Sequence, residues 1–204
     1  MRLASAYFIP GKPLVTELVA LVRGGVDVSI LTNGAQAADV GLVFAYYAKY
    51  RRPLVAGGVR LFEFRRAEQF LTPRRITLRK TIKGLGKVSG STSGSASSLH
   101  AKVFTVDGER LFVGSFNADP RSVKLNTELG VVISSPALTR SVNDLFDENV
   151  PGGAFEVRTT SSGALAWIDN STDTERGLAV EPGMTRATRF AIRLVERLPL
   201  EWLM

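Results

Sequence analysis

One stretch of the 204-residue chain gathers side chains that can act together on a substrate: His100, Lys102, Asp107, Ser115, Asn117 and Glu128. His100 is the only histidine. A neutral imidazole is a nucleophile or a proton carrier near neutrality. An ammonium and a carboxamide beside it can hold the oxygens of an anion. Residues 99–106 are rich in β-branched and aromatic side chains and read as a strand. His100 and Lys102 are two positions apart, so both face one side of it, and Leu99, Ala101 and Val103 face the other. Asp107-Gly108 signals a hairpin, with residues 110–113 as the returning strand. A strand histidine beside a surface lysine is the plainer reading. It does not account for Ser115, Asn117 and Glu128 falling into place as well.

The spacing is His-x-Lys, four residues, Asp, six residues, Gly-Ser-x-Asn. It resembles the signature of the phospholipase D superfamily. That resemblance implies phosphodiester chemistry through a phosphohistidine, which splits one hard displacement into two easier ones. His100 is then the nucleophile. Lys102, Ser115 and Asn117 bind phosphoryl oxygens, and Glu128 accepts the other ring N–H of His100. Asp107 takes either a catalytic role or the closing of the turn. Further segments extend the likeness: Ser5-Ala6-Tyr7-Phe8-Ile9-Pro10, Ile30-Leu31-Thr32-Asn33, Tyr47-x-x-Tyr50-Arg51 and Leu198-Pro199-Leu200-Glu201-Trp202-Leu203. These are similar to the second half of bacterial cardiolipin synthase-like proteins. The resemblance covers nearly the whole chain but only one of the two motifs usual in that family. At one point the chain departs: Phe44 stands where those relatives often carry a histidine.

The elements that must position these residues follow from the pattern. Residues 3–9 read as a strand ended by Pro10-Gly11, and a helix follows with Leu14, Leu18, Leu21 and Val22 on one face. Residues 26–31 form a second strand with its turn at Thr32-Asn33-Gly34. A helix over 39–52, stopped by Pro53, leads through Gly57-Gly58 into a strand at 59–64. This alternation implies crossover connections and a mainly parallel sheet in this part of the chain. Beyond the motif, Asp119-Pro120-Arg121 reads as a turn and 126–133 as the strand carrying Glu128. Pro136 opens a helix to about 149. Residues 154–159 and 165–169 form a small meander, and Asn170-Ser171-Thr172 reads as a turn. The expected fold is α/β, a central mixed β-sheet sandwiched by helices, in a single domain spanning 1–204.

Composition bounds the partners. There are no cysteines, and with one histidine a zinc site has no ligand set, so neither a metal nor another cofactor is expected. No apolar run approaches a membrane span, and Lys12 and Glu17 interrupt the opening apolar stretch that a signal peptide would need. The net charge of +7 favours anionic partners. Between 65 and 87, Arg65, Arg66, Arg74, Arg75, Arg79, Lys80, Lys83 and Lys87 stand against the single acid Glu68. Their excess matches that of the whole chain. Ser, Thr and Gly then dominate 89–98. This basic, Ser/Gly-rich loop at 65–98 reads either as a flap gathering anionic substrate or as a solvated loop. Gly84-Leu85-Gly86 is no phosphate-binding loop, because Thr81 and Val88 stand where glycine and a hydroxyl residue are needed. The helix over 185–198 is amphipathic, with Arg186, Arg189, Arg193 and Arg197 on one face. It reads as an interfacial helix on anionic lipid or as a docked helix with a charged outer face.

The resemblance therefore implies a phosphodiesterase or phosphatidyltransferase on phospholipids, a transferase or hydrolase of cardiolipin synthase or phospholipase D type. The expected partners are an anionic phospholipid or membrane surface, and either a homodimer mate or a missing N-terminal half. The expected location is cytoplasmic, or peripheral on the inner face of the cell membrane. The alternatives are a dimeric nuclease acting on nucleic acid and an inactive half-protein.

Overall fold

The computed structural model describes residues 1–65, 98–172, 174–199 and 201. The basic stretch and the Ser/Gly run therefore lie outside the described residues, apart from Arg65 and Ser98. Three short strands come first: β1 (Arg2–Ser5), β2 (Ser29–Asn33) and β3 (Arg60–Phe64), all parallel. Between them run α1 (Gly11–Arg23), then α2 (Gly41–Ala48) and α3 (Arg51–Ala56). β4 (Lys102–Val106) pairs antiparallel with β1, and β5 (Arg110–Gly114) and β6 (Gly130–Ser134) extend that side. β7 (Ala154–Thr159) pairs antiparallel with β3, followed outward by β8 (Leu165–Asp169) and β9 (Arg176–Leu178). Among the described residues these form one sheet, ordered β6-β5-β4-β1-β2-β3-β7-β8-β9.

The sheet is thus mixed, and parallel pairing is confined to its centre. Short hairpins account for the β4–β5 and β7–β8 pairs, because a tight turn can join only antiparallel neighbours. Asp107 and Gly108 both take positive φ, 55° and 68°, as a two-residue hairpin turn demands. All five residues of β2 are buried, as expected of a central parallel strand covered on both sides. On one face, Leu3, Ile30 and Leu61 pack with Val15 and Leu18 of α1, Tyr46 and Tyr47 of α2 and Leu54 of α3. On the other, Leu31 and Phe62 pack with Phe146 and Val150 of α5 (Pro136–Gly153). Each fully buried aliphatic side chain here contributes roughly 1.5–3 kcal/mol. Arg2 ties α5 to the sheet, gripping Asp147 through Nε at 2.7 Å and a second nitrogen at 3.0 Å.

The helix expected over 39–52 is two helices. Pro53 has no N–H, and its ring would collide with the carbonyl of Lys49 in a continuous helix. The chain breaks at Lys49–Tyr50, and Pro53 sits in the first turn of α3 instead. The break buries Arg51 at the start of α3. Its Nε lies 2.7 Å from Glu63 and a terminal nitrogen 2.6 Å from Glu181. Tyr47 Oη and Trp167 Nε1 also donate to Glu63, at 2.9 and 2.8 Å. Burial pushes the Glu63 carboxyl up, and Arg51 pulls it back only partly. Phe44, at the position of the departure, is core: it is buried, edge-on to Tyr47, with the Arg51 guanidinium 4.7 Å above its ring.

Arg65 corrects another expectation. It belongs to no flap. It is buried at the end of β3, donating to Asp169 at 2.7 Å and to the Ala154 carbonyl at 3.2 Å. Partial burial alone would raise the Asp169 carboxyl, but Arg65 and Ser171 outweigh it and hold it at about 2.

Candidate active site

The three parallel strands end together at Ser5, Asn33 and Phe64, and antiparallel β4 begins at that edge with Lys102 opposite Ser5. His100, two residues earlier, therefore stands just beyond the carboxyl edge of the sheet. What holds it there is Asn33. This buried carboxamide donates to the carbonyls of Ala6 and Leu99, both at 3.0 Å, and accepts the Leu99 N–H at 2.8 Å. The side chain closes the gap between two strand ends and fixes the residue next to His100.

His100 is exposed, with Nε2 3.4 Å from Lys102 Nζ. The two side chains lie side by side, although the strand expected over 99–106 begins only at Lys102 and leaves His100 before it. Partial burial lowers the Lys102 ammonium, and the carboxylates of Glu128, Asp119 and Asp39 oppose that shift. Ser115 follows the last residue of β5. Its Oγ accepts the Leu129 N–H at 3.0 Å and donates to the Glu128 carboxylate. Asn126 Nδ2 donates to the other Glu128 oxygen at 3.0 Å. These two donors, Ser115 first, hold the Glu128 carboxyl below its ordinary value. The expected bond from His100 to Glu128 is not formed; the two Glu128 oxygens accept from Ser115 and Asn126. Glu128 also lies before β6, not within a strand, since β6 starts only at Gly130.

Asn117 is buried, and its Oδ1 accepts the Tyr7 N–H at 3.4 Å. The loop around it is sewn to the segment after β1: Ala118 N–H donates to Ser5 Oγ at 3.1 Å, and Ile9 N–H to the Ala118 carbonyl at 2.7 Å. α4 (Pro120–Lys124), where a mere turn was expected, is capped by Asp119, which accepts the Ser122 N–H at 2.7 Å. Burial raises the Asp119 carboxyl, and the Ser122 bonds lower it. Asp119 was readable as an N-cap from the Asp-Pro pair. Tyr7 and Asn33 lay within segments of the resemblance but carried no chemical signal of their own. Tyr7 Oη donates to Asp39 Oδ2 at 3.1 Å, and partial burial with that carboxylate raises the phenol.

Asp107 does not join the cluster. It sits at the opposite end of β4, roughly 20 Å along the strand from His100. Its φ of 55° places it in the hairpin, and it pairs loosely with Arg110 at 3.7 Å. This geometry fits closure of the turn. Gly114 is explained by close approach: a Cβ there would come within 2.5 Å of the Leu129 carbonyl oxygen and 2.8 Å of Gly130 Cα. Only glycine lets β6 lie close enough for Ser115 to reach Leu129 and Glu128.

Beside the cluster lies a groove of about 810 Å³, walled by Leu3, Ile9, Leu14, Phe104 and Phe116, with Lys102 and Asp119 on its lining. Two distant pieces of the resemblance also meet: Tyr46 Oη donates to the Leu198 carbonyl at 3.0 Å, and Glu201 accepts from Tyr50 and pairs with Lys49. Among the described residues no three His, Cys, Asp or Glu side chains form a metal-holding group. No described helix is long and apolar enough to cross a membrane.

A family model described as cardiolipin synthase, phospholipase D-like domain, matches residues 1–150. The chain is 38% identical over 200 residues to cardiolipin synthase C of Escherichia coli K12, covering 98% of this chain and 40% of that protein. It is 26% identical over 165 residues to cardiolipin synthase B of the same strain, covering 81% of this chain and 32% of that protein. Among solved structures it resembles phosphatidylserine synthase of Haemophilus influenzae Rd KW20, with a TM-score of 0.57 at 13% identity over 99% of this chain and 40% of that one. It also resembles Nuc of Salmonella typhimurium, a phospholipase D family member, with a TM-score of 0.52 at 19% identity over 78% of this chain and 81% of that one. At such identities the structural likeness concerns the fold, and it agrees with the expected α/β arrangement. The chain spans two fifths or less of these two cardiolipin synthases.

Proposed function

The chain belongs to the cardiolipin synthase, phospholipase D-like family, and from that premise we propose that it carries half of a phosphodiester-transferring site acting on phospholipid. The observation that carries this reading is the pairing of His100 with Lys102 at 3.4 Å on the open carboxyl edge of the sheet. A ring nitrogen of His100 attacks phosphorus, a P–N bond forms, and the bond to the leaving alcohol breaks as that oxygen takes a proton. Water or an acceptor alcohol then attacks, the P–N bond breaks, and the attacking oxygen gives up its proton. Lys102 and the Asn117 amide N–H₂ group hold the phosphoryl oxygens through both steps. Ser115 has a single hydroxyl proton, and Glu128 engages it. We therefore assign Ser115 and Glu128 a positioning role that stiffens the edge between β5 and β6.

The proton donor must stand on the far side of phosphorus from His100, because the leaving group departs in line. With one histidine in the chain, that donor comes from elsewhere: a further segment of a longer protein or a second copy. An apolar strip beside the site supports such a partner. Leu129, Val131 and its cross-strand partner Val113 lie on one face at the outer edge and are 79%, 56% and 43% exposed. The apolar groove against Lys102 supports lipid over nucleic acid, whose backbone asks for a polar, basic channel. The location that fits is cytoplasmic or peripheral on the inner membrane face.

The test pairs a phospholipid turnover assay with a nuclease assay. His100→Ala should abolish turnover while the thermal melt stays in place. Mixing excess His100→Ala chains with wild type should lower turnover below that of the wild-type chains alone where two copies share the site, because a mixed pair holds one histidine. Turnover retained in His100→Ala overturns the assignment, and DNA cleavage without lipid turnover overturns the substrate class.

A further inference from the structure

We propose that the C-terminal helix α6 (Arg186–Val195) is the element that docks this chain on an anionic lipid surface; the inference rests on the phospholipid reading above. The helix presents three stripes, not two. Ile192 and Val195 turn inward and pack against the main core. A second stripe, Phe190 and Leu194, lies four residues apart and points to solvent, exposed by 66% and 51%, and Leu198, just past the end of the helix, is 48% exposed beside it. Arg186, Arg193 and Arg197 form a third, exposed stripe beside it.

A helix that merely covers a core turns its apolar residues inward. Here a phenylalanine and two leucines stand outside while Ile192 and Val195 hold the helix down. The outer ridge is of the size and kind that enters the boundary between headgroups and acyl chains. The arginines beside it can reach lipid phosphates while their stems lie along apolar surface. The charge points to the same occupant. Between 185 and 198 the only acid is Glu196. The cleft under the helix, where Lys49 and Glu181 are paired with Glu201 and Arg51, adds Arg52 to Arg189 and Arg193, with Glu196 facing them. A second copy would bring its own arginines against these, whereas an anionic bilayer would neutralise them.

Vesicle co-sedimentation tests the proposal, using phosphatidylcholine alone and phosphatidylcholine mixed with phosphatidylglycerol. The wild-type chain should sediment with the mixed vesicles and be released by salt. Arg186→Gln, Arg193→Gln and Arg197→Gln together should lower that partitioning about 100-fold, near fivefold for each arginine. Phe190→Ser with Leu194→Ser should lower it at least ~10-fold. Both variants change exposed positions away from His100, so the thermal melt and turnover of a soluble short-chain phosphodiester should match wild type. His100→Ala should bind vesicles as wild type does, which separates docking from catalysis: a wild-type chain that binds vesicles without turnover refutes the function and leaves the docking intact. Variants that sediment like wild type, a wild-type chain that ignores mixed vesicles, or a serine variant that loses a dimer in velocity sedimentation would each overturn the proposal.

Discussion

Replacing Asn33 with alanine removes the clamp that joins the end of β2 to the residue before His100. Three hydrogen bonds go with it: two donated at 3.0 Å to Ala6 and Leu99, and one accepted from Leu99 N–H at 2.8 Å. The Ala6 bond is buried, and a buried polar group left unpaired costs about 1–3 kcal/mol. The two Leu99 bonds are partly buried, so water can replace them in part. The expected loss is about 2–4 kcal/mol, a large share of the 5–15 kcal/mol that typically separates folded from unfolded chains. A urea titration should show a lower midpoint with an unchanged slope, and the Leu99 amide should lose protection from hydrogen exchange. Asn33→Asp keeps the acceptor for Leu99 N–H but sets a carboxylate against two carbonyl oxygens, so it should be no milder. A loss under about 1 kcal/mol with Leu99 still protected would refute the clamp.

Asp169 should shape the acid limb of stability. Its folded carboxyl lies at about 2 against an ordinary 3.8, so its contribution is present above pH 4 and is lost as the pH falls through about 2. Asp169→Asn should flatten the stability curve across that window, and an unchanged acid limb contradicts the Arg65–Asp169 pairing. Gly114→Ala should push β6 away through the clash with Leu129 and Gly130, costing about 1–3 kcal/mol. Wild-type stability in that variant shows that the strands have room for a methyl group. Turnover should persist in excess EDTA, because Lys102 and Asn117 supply the charge stabilisation a cation would give. Activity lost to the chelator and restored by a divalent ion rejects that role for them.

The sequence by itself determined what depends on spacing within one element. Asp107-Gly108 turns because both residues tolerate positive φ, and Leu3, Ile30 and Leu61 are core because central strands are covered on both faces. The motif spacing also led to the family, which the matches over the chain bear out. What the sequence left open depends on long-range approach. The helix break at Lys49–Tyr50 follows locally from Pro53, but its purpose, sealing Arg51 against Glu63 and Glu181, appears only when α3, β3 and the segment after β9 meet. Arg65 looked like part of a charge run, until Asp169, over a hundred residues away in sequence, proved to be its partner. Asp107 counted in the motif but lies at the wrong end of β4, because a strand of five residues carries it away from the site. Asn33 read as a turn residue, since its partners Ala6 and Leu99 are brought to it only by the parallel and antiparallel neighbours of β1. Spacing along one strand is local geometry, whereas the meeting of strand ends is a property of sheet order, and sheet order is settled by which apolar faces must be buried together.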